Sequence, residues 1–446
     1  MGFSMSFLLI QPAEPHRGGQ VYLPGGLLNL AGRLIAADQK VTVIDLNLDR
    51  LERYTKVLLE SSIVCITVLG KPYIPGTIDL IRQIRATGFE GQILIGGQAV
   101  ECMLPARFNG FFGSEVTRVC SDEQLNEVLN LDLPNRYKAG MELALAQLHP
   151  QRRRRYLTNE FGLWLSNGCS QDCSYCDALN GVPEKYRHLE ALKQEVRYVC
   201  DELCQFGHDR LEMYLSNLDG FQTPKRLEAA MQAIHKIASA HGLEVRVRCL
   251  STVAFFNKAI RKDGQLLERL RGYGLRIVAF GADGADPRVW ARENKRHNTL
   301  KGLHTALEDC LDAGIDPEIL MVIGFNDDDL QSMRCALREA LYWADRGVVI
   351  RPYVGKPILK KLDEHDLVPY LDDPTKLLSL DYAGLASRVT HPSRRQRYMV
   401  NTTYLLLIGL LTPVGRNTTF PTVPIEGGRV RRSIARTINR FMPFDR

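Results

Sequence analysis

Three cysteines inside eight residues, Cys169-Ser-Gln-Asp-Cys173-Ser-Tyr-Cys176, constrain this chain more than any other stretch. The spacing C-x3-C-x2-C puts three thiols on one short loop, where they can wrap one face of an iron–sulfur cluster. Such clusters are held by cysteine thiolates, and a cubane with only three protein ligands leaves one iron open to another donor. A zinc knuckle is the competing reading. Zinc takes four nitrogen or sulfur ligands, and the next candidate, His188, lies twelve residues beyond Cys176.

The rest of the composition narrows the class. At 446 residues the chain exceeds one ordinary domain, so two or three are expected, and 45% apolar with 24% charged residues is a globular balance. The net charge of +6 is mild, and the run Arg152–Arg155 supplies much of it. Such a run reads first as a solvated linker, with docking of an electron donor or a phosphate as the alternative. No basic stripe interleaved with aromatics points to nucleic acid. Eleven cysteines without a recognisable secretory signal suggest a reducing, cytoplasmic setting rather than a disulfide framework. Outside the triplet they are scattered: Cys65, Cys102, Cys120, Cys200, Cys204, Cys249, Cys310 and Cys335. Cys200 and Cys204 fall on one predicted helix and read as core thiols rather than a metal pair. No cysteine follows Cys335, which argues against a second cluster in the C-terminal part. The start Met1-Gly-Phe-Ser-Met-Ser6 fits only a loose and common acylation pattern, and the apolar run Tyr404–Leu411 is too short to span a bilayer.

From Phe7 the pattern is strand, loop, helix, repeated. Strands are predicted at Phe7–Ile10, Val41–Ile44, Ile63–Val68 and Ile93–Ile95, and helices at Leu27–Ala36 and Thr77–Ala86. Apolar strands alternating with helices make a parallel, doubly wound α/β sheet, here assigned to residues 1–132. A sheet of that kind binds ligands at the carboxyl ends of its strands. The relevant loops follow Ile10 (with Gly18, Gly19, Pro24, Gly25 and Gly26), Val68 and Ile95. Residues 133–160, with Pro134, Pro150 and the arginines, read as a linker. Longer strand–helix units over 161–355 suit a (β/α) barrel, whose site lies at the carboxyl ends of its strands. Residues 356–446 remain as a C-terminal region expected to cap the substrate pocket; Pro357, His365, Tyr370, Asp381, Tyr382, His391 and Tyr404 are its polar and aromatic candidates.

The cysteine spacing, Tyr175 before the last cysteine, and Gly162-Leu-Trp-Leu-Ser166 running into the loop resemble the radical S-adenosylmethionine (SAM) superfamily. The resemblance implies an N-terminal Rossmann-like domain and an open six-unit barrel. It implies a [4Fe-4S] cluster on Cys169, Cys173 and Cys176, with SAM chelating the open iron and being split into methionine and a 5'-deoxyadenosyl radical. Residues 161–355 then offer SAM contacts at Tyr175, at Ser216 and Asn217 (with Asp219) after the strand Leu211–Leu215, at Arg248 or Arg246 in the strand Glu244–Cys249, and at Asp283 in Gly281-Ala-Asp-Gly284. Gly324, closing the strand Ile319–Ile323, is expected against adenine, and Lys295 matches a lysine of relatives. Asp327, Asp328 and Asp329 read as a helix N-cap, and Asp283 could equally be a turn aspartate.

The front domain resembles the cobalamin-binding-like domain of one subgroup, on Leu23-Pro-Gly-Gly-Leu-Leu-Asn-Leu-Ala31, Val41-Thr-Val-Ile-Asp45 and Ile93-Leu-Ile-Gly-Gly97 before Leu104-Pro105. That implies a possible corrin site at Leu69, Gly70, Lys71, Gly96, Gly97 and Gln98. The Asp-x-His-x-x-Gly signature of other cobalamin proteins is absent, and the loop Leu69-Gly-Lys-Pro-Tyr-Ile-Pro75 carries a lysine and two prolines where a residue would face cobalt. The expected function is hydrogen abstraction from a small-molecule substrate followed by cobalamin-dependent methyl transfer. A cobalamin-free dehydratase, epimerase or decarboxylase, resembling aminoglycoside dehydratases, is the alternative, and a non-catalytic Fe–S protein the remote one. A flavodoxin- or ferredoxin-type donor, and a separate reductase for a product radical, are the implied partners, with no membrane.

Overall fold

The computed structural model describes residues 5–15, 22–101, 103–358 and 362–411. Gly18, Gly19, Cys102, the first four residues and everything beyond Leu411 therefore lie outside the described residues.

The front sheet is built from β1 (Ser6–Gln11), β2 (Lys40–Asp45), β3 (Ile63–Thr67), β4 (Gln92–Gly96) and β5 (Thr117–Arg118), all parallel and in the order β2-β1-β3-β4-β5. Its strands are continuous apolar runs because both faces are covered. Leu8, Ile10, Val64, Ile66, Ile93 and Ile95 share one buried cluster, while Phe7, Leu9, Cys65 and Leu94 enter another on the opposite side. Each fully buried Leu, Ile or Phe contributes about 1.5–3 kcal/mol relative to exposure. The order reverses between β1 and β3, and that switch point directs ligands to the loops after these strands.

The second sheet runs β6 (Phe161–Trp164), β9 (Arg210–Ser216), β10 (Glu244–Ser251), β11 (Leu275–Gly281), β12 (Asp316–Ile323) and β13 (Val349–Val354), each parallel to the one before. It is the six-unit open barrel that the sequence suggests. A small antiparallel pair, β7 (Ser166–Asn167) with β8 (Lys185–Tyr186), closes the base of the cysteine loop.

Three features differ from the sequence reading. The helix after β3 starts at Tyr73, not Thr77, because Pro75 sits in its first turn, where no backbone donor is needed. The stretch 133–160 holds two short helices, Glu142–Gln147 and Pro150–Leu157. On the latter Arg152 is tied to Asp49 and Tyr54 of the front domain and Arg153 to Glu202 of the barrel, while Arg154 and Arg155 are exposed. Finally, residues 364–380 pack against the front domain: Leu367, Tyr370, Leu377 and Leu380 join the cluster containing Phe108 and Ile81. The C-terminal region thus reaches back to clamp the first domain.

Among the described residues no helix is long and apolar enough to cross a membrane. The run Tyr404–Leu411 is the end of a helix Arg394–Leu411 that packs on β13.

Candidate active site

The cysteine loop leaves the barrel just after β6 and is stapled by its own backbone. Gly168 turns the chain at φ +95°, and a Cβ there would come within 2.6 Å of the Pro183 carbonyl oxygen, so the turn needs glycine. The Cys169 amide donates to Leu179 O at 3.1 Å and its carbonyl accepts from Val182 N at 3.0 Å. The Cys173 carbonyl accepts from Cys176 N at 3.3 Å and from the Asn180 amide side chain at 3.0 Å. Outside supports are the Ser174 amide on Glu293 O at 3.0 Å, Asn294 on Asp172 O at 2.7 Å and Ser170 on Gln222 at 2.8 Å. None of the three cysteines is in a disulfide; Cys169 and Cys173 are buried and Cys176 is half-buried. Burial pushes the Cys169 thiol up to about 11 and Cys173 upward as well, so binding of a metal here releases protons. Three cysteines on one short, backbone-braced loop are the donor set of an iron–sulfur cube with one open corner.

Tyr175 sits inside this loop and points at the turn after β11. Its hydroxyl donates to Asp283 Oδ2 at 2.5 Å and accepts from Lys295 Nζ at 2.9 Å, and Lys295 also pairs with Asp283. Asp283 lies in a left-handed turn with Gly284 and Ala285 (φ +37°, +75° and +49°), a conformation that non-glycine residues adopt only under tertiary constraint. The structure therefore brings Tyr175, Asp283 and Lys295 together. The sequence singled out each of them without showing that they are one cluster. His297 belongs to the same corner and was missed: its Nε2 is buried without a partner, and burial together with Lys295 lowers its pKa to about 4. The edge of Tyr175 meets Phe325, ring centroids 5.1 Å apart.

The other barrel candidates divide. Ser216 and Asn217 line a cavity of about 690 Å³ at the barrel mouth. Asn217 is 5% exposed, and neither atom of its side-chain amide has a partner. Asp219 is engaged elsewhere, accepting from Ser251 Oγ at 3.1 Å, Thr252 N at 3.0 Å and Phe221 N at 3.0 Å. Arg246 is exposed beside Glu244. Arg248 is buried in the barrel interior, where its guanidinium donates to Glu318 at 2.7 and 3.0 Å and Arg351 holds the same carboxylate at 2.8 and 2.9 Å. The Gly324 amide donates to Asp328 Oδ2 at 2.9 Å, and its carbonyl pairs with His391 Nε2 at 2.7 Å. Its backbone groups are thus taken by protein, although Gly324 and Tyr175 both border a second cavity of about 790 Å³. Of the three aspartates only Asp329 caps the helix, with Ser332 completing a capping box; Asp328 is buried on the Gly324 turn and pairs with Arg292.

The 690 Å³ cavity lies between the domains. Its front wall comes from the loops after β1 (Leu23, Gly25, Gly26), β3 (Thr67, Leu69), β4 (Gly96, Gly97, Gln98) and β5 (Cys120, Ser121), and its back wall from Gly162, Trp164, Leu179, Tyr214 and Asn217. Gly97 is required by its own strand end, since at φ +102° a Cβ would sit 2.7 Å from Val68 O. Leu69, Gly96, Gly97 and Gln98 border this space. Gly70 and Lys71 do not; together with Leu69 and Gln98 they line an adjoining 50 Å³ void.

The three-thiol loop thus stands at the carboxyl end of β6 in an open parallel barrel, and the unpaired Asn217 side chain at the carboxyl end of β9. Residues 165–335 of this chain match the family described as the radical SAM superfamily. Its fold is similar to that of the radical SAM methyltransferase TsrM from Kitasatospora setae, solved with cobalamin and a [4Fe-4S] cluster: TM-score 0.60 and 16% identity, over 79% of this chain and 75% of that one. It is also similar to the cobalamin-dependent SAM radical enzyme OxsB, solved with aqua-cobalamin and SAM: TM-score 0.62 and 11% identity, over 99% of this chain and 67% of that one. No curated protein matches the sequence.

Proposed function

We propose that this protein is a radical SAM enzyme that abstracts hydrogen from a small-molecule substrate and methylates the resulting carbon with the help of a corrin held between its two domains. The observation that carries the reading is the 690 Å³ interdomain cavity, which joins the ligand-binding edge of the front sheet to the mouth of the barrel. When bound, the cluster and SAM supply the 5'-deoxyadenosyl radical, and a corrin supplies the methyl group.

The chain's own residues bind, orient and exclude water. Asn217 offers one donor and one acceptor, both unspent, for the amino acid end of SAM. Tyr175, backed by Asp283 and Lys295, fixes the shape of the loop between the second and third thiols. Leu69 and the Gly96–Gln98 turn give an apolar floor and close backbone approach for a flat ligand. Arg248 is removed from the list of SAM contacts in this reading, because its guanidinium is committed to Glu318 inside the barrel.

Two measurements check the proposal. Anaerobic purification from cells supplied with hydroxocobalamin yields corrin bands near one equivalent beside the Fe–S absorption; a cluster without corrin under saturating supply moves a cobalamin-free lyase or epimerase into first place. Asn217→Ala raises the Kd for SAM about tenfold, the loss of one or two hydrogen bonds worth about 1.4 kcal/mol together, with cluster content unchanged. An unaltered SAM affinity in that variant removes Asn217 from the site.

A further inference from the structure

Lys71 is out of place by every local rule. It immediately precedes the helix Tyr73–Ala86, where the helix dipole disfavours a cation, and it is only 6% exposed, which costs a charged amine its hydration. Something distant holds it there. Its ammonium is paired with Asp177, donates to Pro357 O at 2.9 Å and lies 5.1 Å from the centre of the Tyr382 ring. The Tyr382 hydroxyl in turn donates to Tyr175 O at 3.1 Å and reaches Asp177 Oδ2 at 3.4 Å. Asp177 directly follows Cys176 in the chain. Three separate segments, the loop after β3, the cysteine loop and the C-terminal region, thus meet at the residue next to the third thiol. Neither the domain match nor the fold likeness assigns Lys71 a part.

We propose that Lys71 is a positioning residue for the cluster loop: through its ion pair with Asp177 the front domain fixes the chain, and balances the charge, beside Cys176. The same short loop therefore does two things: Leu69 borders the interdomain cavity, and Lys71, beside the adjoining small void, braces the cysteine loop. The front domain would serve the cluster directly whether or not it holds a corrin. The proposal rests on the reading that the three cysteines carry the cluster, and on nothing about methyl transfer.

Opposite charges give it a signed test. Lys71→Met removes a positive charge from beside the Asp177 carboxylate, so adding an electron to the nearby cluster becomes harder and the midpoint potential shifts negative. Asp177→Asn shifts it positive, and the double variant returns toward the wild-type value. Lys71→Arg keeps the charge and rescues the single loss. The potentials are read by EPR-monitored titration of anaerobically reconstituted protein. A second readout uses the iron-free chain, in which Lys71→Met speeds amide hydrogen exchange over residues 176–180 and Lys71→Arg does not. A role in folding alone would move all variants in one direction, so like-signed shifts count against the proposal. Wild-type potential and wild-type exchange in Lys71→Met overturn it while leaving the cluster reading intact. A wild-type chain that never takes up a cluster overturns the cluster reading first, and the proposal with it.

Discussion

Cys173→Ala releases no 5'-deoxyadenosine when reconstituted anaerobically and given SAM with a strong reductant, whereas the wild-type chain does. The substitution leaves two thiols at a site that needs three, and no other thiol is at hand, since described cysteines outside the triplet such as Cys65 and Cys249 sit in the buried core. The loop itself survives the change. Its shape depends on main-chain and amide contacts, with the Cys173 carbonyl still held by Cys176 N and Asn180, and none of these passes through the sulfur. Losing one buried sulfur atom costs on the order of 1 kcal/mol, so the variant stays folded. Activity and folding therefore separate: circular dichroism close to wild type with iron content and SAM cleavage lost. Full cleavage activity in the folded variant would mean that the triplet has been misread.

The ease with which different parts could be read follows from the range of the contacts involved. Phe7–Ile10 and Ile63–Val68 were visible as strands because a strand covered on both faces is a plain apolar run. The three cluster cysteines were visible because their chemistry is written in local spacing. Tyr175, Asp283 and Lys295 were each visible as loop residues, but their meeting depends on how the turn after β11 folds back over the cysteine loop, and no period in the sequence encodes that. Arg248 illustrates the same limit. Alternation puts Arg246 and Arg248 on one side of the strand without saying which way it faces; the structure exposes Arg246 and buries Arg248, whose role is set by Glu318, seventy residues on. The C-terminal clamp was invisible for a related reason: Leu367, Tyr370, Leu377 and Leu380 look like any amphipathic stretch, and only the front domain's exposed apolar face makes them a seam. Lys71 was noticed for the wrong neighbour. A lysine in the loop after β3 suggests a group facing the cavity, and the ion pair with Asp177 turns it away.

Glu318→Leu lowers the stability of the chain by about 3–5 kcal/mol, because one buried carboxylate serves two buried guanidiniums and its loss leaves their charges less compensated. Glu318 is 1% exposed, and it accepts from Arg248 and Arg351 through four contacts of 2.7 to 3.0 Å. Burial alone would push its carboxyl up; the two arginines outweigh burial and hold it below the usual glutamate range. A depressed carboxylate contributes stability that is fully present above the unfolded value, about 4.3, and lost as pH falls through the folded one. The triad therefore makes the barrel acid-labile and leaves it undisturbed at neutral pH. Urea unfolding at pH 7 shows the Glu318→Leu midpoint well below wild type, and the gap narrows as the pH approaches 3. A combined Arg248→Met, Glu318→Leu, Arg351→Met variant regains most of the stability, since well-packed apolar replacements avoid burying charge at all. Function separates the two again. The Arg248 guanidinium lies 5.6 Å from the centre of the Tyr214 ring, and Tyr214 borders the interdomain cavity. The triad is thus a floor beneath the site rather than a contact within it, and the apolar triple variant should retain the wild-type affinity for SAM. A triple variant as unstable as Glu318→Leu would show that the charges are needed for packing as well as for each other.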